Sequence, residues 1–383
     1  MANRVAAPKS IIIIAGETSG DLLGAKLVRA MQARHKNLFF CGIGGPELKD
    51  AGVRVLIDAA ELTVVGITEV FGKLPAIYRG MARIKKLLRS LQPDLLILID
   101  FPDFNLNIAA AAKKAGIPVL YYVSPQIWAW RPGRVRRIGR LVDHIAVILP
   151  FEESFYQRHN VPVTFVGHPL LDTDLPSIDE ILSPKNSQNP FVGLVPGSRE
   201  SEITRHLPIM LDAAVILKQH FTTAGLIVSL APGIDRRVFE TIINRHALAG
   251  QVEIVACDIG QVLLRSDMII AASGTVTLQA ALFGTPMIII YKVSPINAWV
   301  ARALIRVDHI GLVNLVAGRK IVPEFLQHQA SPENLASAVI TMLSDGPGLH
   351  KLKRELLELR KNLGGAGASL RVADIAMHML SQS

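Results

Sequence analysis

Short runs of consecutive apolar residues recur along the chain, and between them the apolar positions repeat every three or four residues. Residues 10–15, 38–41, 95–99, 119–123 and 145–149 have the length and content of buried strands. Helical periodicity separates them, as in 20–33, 74–91 and 108–115. Alternation of this kind predicts parallel sheets covered on both faces. It pauses after Gly167-His168-Pro169, where 172–190 is rich in Asp, Ser, Pro and Asn and follows neither period, so a linker is expected. Strand-like runs resume at 191–195, 225–229, 252–256, 268–271 and 287–291. The C-terminal stretch is helical in pattern, punctuated by Gly364-Gly365-Ala366-Gly367.

The predicted fold class is α/β, with two doubly wound Rossmann-like domains facing a cleft and a helical C-terminal segment. The expected bounds are 1–168 for the first domain, 169–190 for the linker and 191–345 for the second domain. Helices over 346–383 would pack back on the first. Ligands should collect outside the carboxyl ends of the strands.

Composition narrows the classes. The chain has 383 residues, 50% hydrophobic and 19% charged, which excludes disorder and a long coiled coil. Its two cysteines, Cys41 and Cys257, make neither a disulfide framework nor a cysteine-rich zinc site and fit a reducing cytoplasm. Residues 1–10 form a short polar arm, and the apolar run 11–14 is too brief for a secretory core. The uncharged stretch 268–291 has a membrane-spanning length, but its Ser, Thr, Gln, Gly and Pro residues fit strand, helix and strand in a core.

Charge is uneven. The net +9 arises wholly in residues 1–168, with 22 Lys+Arg against 13 Asp+Glu, while 169–383 balances 19 against 19. An anionic membrane, a nucleic acid or a phosphorylated substrate would each account for a basic first half, as would a solvated surface. Within it, Val70, Phe71, Leu74 and Ile77 form an apolar stripe amid Lys73, Arg79, Arg83, Lys85, Lys86 and Arg89. That pattern suits a helix lying on a membrane or one packed on a core.

Several loops carry candidate chemistry. Gly16-Glu17-Thr18-Ser19-Gly20-Asp21 follows the first strand, where glycines permit a tight turn that exposes helix N–H groups. Glu17, Ser19 and Gly20 are candidates there. Gly42-Ile43-Gly44-Gly45 is no dinucleotide fingerprint, because Glu47 stands where the third glycine belongs. Asp100 and Asp103 lie in Ile99-Asp100-Phe101-Pro102-Asp103-Phe104-Asn105 at a strand end, a position for a general base. Asp103 is the better helix cap of the two; Asn105 is a further candidate contact. Trp128, in Ser124-Pro125-Gln126-Ile127-Trp128-Ala129-Trp130, would either stack on a sugar or staple its loop. Arg131, Arg134, Arg136, Arg137 and Arg140 follow without an acid. Pro196-Gly197-Ser198-Arg199-Glu200 and Ser273-Gly274-Thr275 both precede helices, and with Arg199 they make a candidate diphosphate cradle. Asp172-Thr173-Asp174 imitates a metal motif, but its place in the linker argues against one. The histidines show no metal-ligand spacing.

These motifs, in this order, resemble lipid-A-disaccharide synthase, an inverting glycosyltransferase family of the B-type fold. The landmarks are AGETSGD (15–21), IDFPDFN (99–105), SPQIWAW (124–130), PFEESFY (150–156), GHPLLD (167–172), PGSRESEI (196–203), SGTVTLQ (273–279) and the stretch 310–318. The resemblance implies transfer of a diacylglucosamine from UDP-2,3-diacylglucosamine to 2,3-diacylglucosamine 1-phosphate. The products would be a β-1,6 disaccharide 1-phosphate and UDP, with neither metal nor cofactor. It makes Asp100 the base candidate and sets Glu17 beside the acceptor. Arg199, Ser273, Gly274, Thr275 and Asn314 fall to the nucleotide, and Gln279 to its ribose, where the family usually has Glu. The family usually has Pro where this chain has Val313. The implied protein is cytoplasmic, a monomer or homodimer, and peripheral on the inner membrane of a Gram-negative-type bacterium. No nucleic acid is implied. A UDP-sugar epimerase on the same fold, or a non-enzymatic membrane or RNA binder, are the rival readings.

Overall fold

A computed structural model describes residues 8–62, 67–130, 132–183, 189–256, 258–294 and 308–382. Its contacts divide the chain into two units. One comprises Met1–Thr173 with Leu363–Ser383, the other Asp174–Asn362.

Among the described residues the first unit has a seven-stranded parallel sheet: Lys9–Ala15 (β1), Leu38–Gly44 (β2), Arg54–Asp58 (β3), Leu95–Ile99 (β4), Val119–Tyr122 (β5), His144–Val147 (β6) and Val163–Phe165 (β7). Their order is β3-β2-β1-β4-β5-β6-β7. Side chains of β1 alternate between two cores, Ile12 and Ile14 on one face and Ile11 and Ile13 on the other. Burial on both faces explains the unbroken apolar runs of the central strands. The second unit repeats the plan with Phe191–Val195 (β8), Gly225–Ser229 (β9), Val252–Val255 (β10), Met268–Ala272 (β11), Met287–Tyr291 (β12) and Glu324–Leu326 (β13). Their order is β10-β9-β8-β11-β12-β13. The 268–291 stretch is strand, helix and strand, and among the described residues no helix is long and apolar enough to cross a membrane.

The unit boundary falls at Thr173 rather than at 168, and the expected linker holds a helix, Ile178–Leu182. The C-terminal helices part company. Gly346–Asn362 belongs to the second unit, whereas Ala368–Gln382 returns to the first and buries Val372, Ala373, Ala376 and Leu380 in its core. The Gly167-His168-Pro169 turn forms this seam. His168 donates its backbone N–H to the Leu363 carbonyl at 2.9 Å, and Arg371 Nε donates to the Val166 carbonyl at 2.7 Å. Gly167 has φ +80°, and a Cβ there would lie 2.7 Å from the Arg371 guanidinium. Burial holds the His168 ring down at about 4, neutral at ordinary pH.

Candidate functional site

The strand order of the first unit reverses between β1 and β4, where doubly wound sheets collect ligands. Glu17, on the loop after β1, and Ser19, in the first turn of the following helix, are exposed. Gly20 is buried, and a Cβ on it would meet Ala15 and Ile99 at 3.5 Å. It sits where the helix Thr18–Arg34 packs on the sheet at ordinary contact distance. Asp21 is buried too, accepting from the N–H groups of Gly45 at 2.6 Å, Glu47 at 2.9 Å and Leu48 at 3.2 Å. The glycines after β2 thus make room for an internal carboxylate.

After β4 the chain takes two consecutive left-handed residues, Asp100 (φ 47°) and Phe101 (φ 49°). Non-glycine residues held there cost of order 1–3 kcal/mol each. Packing holds them: the Phe101 ring stacks on Phe104 with centroids 5.1 Å apart, and a Cβ on Gly16 would come within 2.4 Å of that ring. Hydrogen bonds complete the clamp. The Asp100 carbonyl accepts from the Tyr121 phenol and from Asn105 Nδ2, both at 2.6 Å. Asn105 Nδ2 also reaches the Ile99 carbonyl at 3.2 Å, and the residue is fully buried. Its amide nitrogen is thus spent on the turn, while its Oδ1 accepts from no group among the described residues.

The half-buried Asp100 carboxyl is pushed up to about 6, first by burial, then by the Glu17 charge on the neighbouring loop; the Phe101 N–H opposes both. Asp103 is exposed in the first helical turn and pairs with Arg134 at 3.0 Å. It is not the cap, because Phe101 occupies that position without a side-chain cap bond.

On the next loop, Trp128 Nε1 donates to Glu152 Oε1 at 3.0 Å, and its ring meets Phe151 edge-on at 4.7 Å. These contacts staple its loop to the helix Pro150–Gln157. Trp130's side chain lies outside the described residues. Glu152 is a site the sequence reading passed over. Its carboxyl is buried among the Trp128 N–H, the Ser124 hydroxyl and the Leu149 N–H, and burial raises it to about 7.

The apolar stripe of the basic helix is only partly described. The helix runs Ile67–Leu91, but the side chains of Val70 and Phe71 lie outside the described residues. Leu74 is half-buried, and Ile77 packs against the first core with Met81 and Leu87. The stripe from Ile77 onward thus faces protein, while Tyr78, Arg79, Arg83, Lys86 and Arg89 face solvent.

The second unit reverses its strand order between β8 and β11, and a cavity of about 520 Å³ opens there beyond the ends of β8, β9 and β11. It gathers Arg199, Ser273, Gly274, Thr275 and Gln279, five of the six residues expected on the nucleotide side. The sixth, Asn314, is fully buried. Its Oδ1 accepts from Ile321 N–H at 2.8 Å and Val322 N–H at 3.0 Å, and its Nδ2 donates to Glu324 at 2.7 Å and the Val322 carbonyl at 3.0 Å. All its side-chain bonding is internal, so it shapes the loop and does not reach a ligand. Ser273 Oγ donates to the Ile310 carbonyl at 3.0 Å, tying the same loop to the cavity wall.

One cavity residue was not expected. Glu202 accepts from the Ser198 N–H at 3.1 Å and faces Arg199 Nη1 at 3.3 Å, so a carboxylate already sits on part of the cradle. The spacing of Arg199 and Glu202 on one helix face was the available signal. Asp172 accepts from the Gly367 N–H, and among the described residues no three His, Cys, Asp or Glu side chains gather as metal ligands.

A family model described as lipid-A-disaccharide synthetase matches residues 11–374. The chain is 46% identical over 379 residues to the lipid-A-disaccharide synthase of Syntrophus aciditrophicus, covering 98% of this chain and 99% of that one. It is 44% identical to that of Trichlorobacter lovleyi, covering 99% and 100%. The chain belongs to the lipid-A-disaccharide synthase family. Solved structures add the fold. A protein assigned as a UDP-N-acetylglucosamine 2-epimerase from Listeria monocytogenes superposes with a TM-score of 0.67 at 13% identity, covering 98% of each chain. The kitacinnamycin glycosyltransferase gives 0.62 at 14%, covering 97% of this chain and 99% of that one. At such identities an epimerase and a glycosyltransferase differ little in architecture, so fold does not separate them. Membership of the lipid-A-disaccharide synthase family does, and it disfavours the epimerase and binder readings.

Proposed function

We propose that the protein is a lipid-A-disaccharide synthase, joining UDP-2,3-diacylglucosamine to 2,3-diacylglucosamine 1-phosphate with inversion and release of UDP. In this reading Asp100 is the general base that takes the proton of the acceptor's 6-hydroxyl, and Glu17 flanks the acceptor. The cavity of the second unit holds UDP through Arg199, the Ser273-Gly274-Thr275 turn and Gln279. The observation that carries the reading is the left-handed turn after β4, at the switch point of the first sheet, with a carboxyl whose pKa is pushed up to about 6. A base in that range is ionised at neutral pH and still takes up a proton readily. The test is direct. Purified protein incubated with both lipids should release UDP and disaccharide in equal amounts, and release of UDP without a new lipid would count against it.

The Glu17 charge supplies part of the rise in Asp100. A general base works when deprotonated, so activity should fall as the pH drops through about 6. Glu17→Gln removes a like charge and should move that acid limb of kcat/KM to lower pH. An unmoved limb in an active variant would break the link. Gln279→Glu should bind UDP at least as tightly as wild type by calorimetry, since a carboxylate accepts from both ribose hydroxyls. Weaker binding would mean that the ribose pocket is built around the amide.

Peripheral association with an anionic inner membrane, on the cytoplasmic side, belongs to the same proposal. It is supported by the exposed basic face of Ile67–Leu91. Well-placed Lys and Arg add about 1 kcal/mol each at such a surface. Anionic vesicles should retain the protein at low salt and release it as salt rises, and Arg79→Glu with Arg83→Glu should release it sooner. Unchanged retention in that double variant would remove this face from the contact.

A further inference from the structure

Asp100 does not hold its own conformation. Its side chain turns about two dihedral angles, so the carboxylate is no better placed than the backbone that carries it. That backbone is left-handed at two successive residues, and its carbonyl oxygen accepts two bonds from buried donors on separate elements. One is the Tyr121 phenol on β5 and the other is Asn105 Nδ2 on the helix Pro102–Lys114, each at 2.6 Å. The Asp100 N–H goes to the Tyr122 carbonyl at 3.2 Å, so β5 grips both sides of the residue.

We propose that Tyr121 is a positioning residue for the transfer: its hydroxyl pins the Asp100 carbonyl and thereby sets the direction of the Asp100 carboxylate. This rests on the reading of Asp100 as the base. Tyr121 is fully buried, so no substrate reaches it, and any effect of its hydroxyl on turnover passes through the turn. The ring itself belongs to the core beside Leu98 and Ile145, which gives the phenol a packing role that phenylalanine keeps. The oxygen is the part that packing does not require. Asn105 shares the task but also bonds Ile99, so its removal disturbs more than the turn.

The experiment is a double-mutant cycle between Tyr121→Phe and Asp100→Asn, read as kcat and KM. Tyr121→Phe alone should lower kcat about 10- to 100-fold, the range of a slightly misdirected catalytic group, with KM held. In the Asp100→Asn background the same change should add nothing, because the group it directs is gone. Normal kcat in Tyr121→Phe overturns the proposal. Equal losses in both backgrounds overturn it too, since the effect would then be structural. A fully active Asp100→Asn is a separate failure, that of the base reading itself, and the single variant identifies it. Should Tyr121→Phe not fold, Asn105→Ala removes the other donor to the same carbonyl; because it also frees the Ile99 carbonyl, only a loss of kcat confined to the Asp100 background supports the pinned carbonyl, and an equal loss in both backgrounds overturns it.

Discussion

Asp100→Asn should lower turnover by about 10²- to 10⁴-fold while leaving UDP affinity nearly unchanged. The acceptor hydroxyl is a weak nucleophile until its proton leaves, and in the proposed mechanism Asp100 takes it. An amide is isosteric with the carboxyl but accepts no proton at these pH values. The substitution also suits the backbone. Asn enters the left-handed region more readily than most residues, so φ 47° at this position is kept and the Phe101 ring stays over Gly16. A loss of turnover would then reflect the missing base and not a lost turn. UDP affinity is a fitting control because the cavity proposed to hold the nucleotide is lined wholly by the second unit. The discriminating partner is Glu17→Gln. Near-normal turnover in Asp100→Asn, with Glu17→Gln inactive, would transfer the base to Glu17.

How far the sequence foretold this arrangement depends on the range of the interactions. Central strands were legible because both faces are buried, as in Ile11 to Ile14, and the apolar run is then continuous. The edge strands β3, β7 and β13 escaped notice, since two have three residues and β3 begins with Arg54 and ends with Asp58. The basic helix starts seven residues earlier than its pattern suggests because Pro75 is accommodated inside it. Site loops stood out through glycines at strand ends. What did not show was which polar side chain each loop consumes internally. Asn105 and Asn314 look like ligands in a motif, yet their amide nitrogens are taken up by carbonyls of their own turns, 5, 6 and 8 residues away. Glu202 pairs with Arg199 three residues away, a local contact that its spacing did signal; Glu152 looks like an ordinary first-turn acid, and tertiary contact makes it a buried anchor for Trp128. An apolar stripe is ambiguous for the same reason. Ile77 has the spacing of a membrane face and the contacts of a core residue.

Arg199→Ala should weaken UDP binding and cost about 10²-fold or more in turnover, because it removes a charge-assisted donor from the place where the leaving diphosphate is proposed to gain charge. The Glu202 pair does not stand in the way. Arg199 is 69% exposed, and an exposed i,i+3 pair at 3.3 Å contributes well under about 1 kcal/mol. A diphosphate brings more charge and more acceptor atoms than one carboxylate, so the guanidinium fork should transfer to it. The Ser273-Gly274-Thr275 turn lines the same cavity from the β11 side and would add backbone donors. These groups can stabilise the leaving group electrostatically, which is the basis for proposing a reaction without a metal. Two measurements bear on it. Arg199→Lys should restore only part of the loss, since an ammonium keeps the charge but lacks the paired geometry. Activity in wild type should survive a chelator. Turnover that vanished with chelation and returned with magnesium would put a cation where Arg199 is proposed to act, and a near-normal Arg199→Ala would leave the diphosphate to the backbone alone.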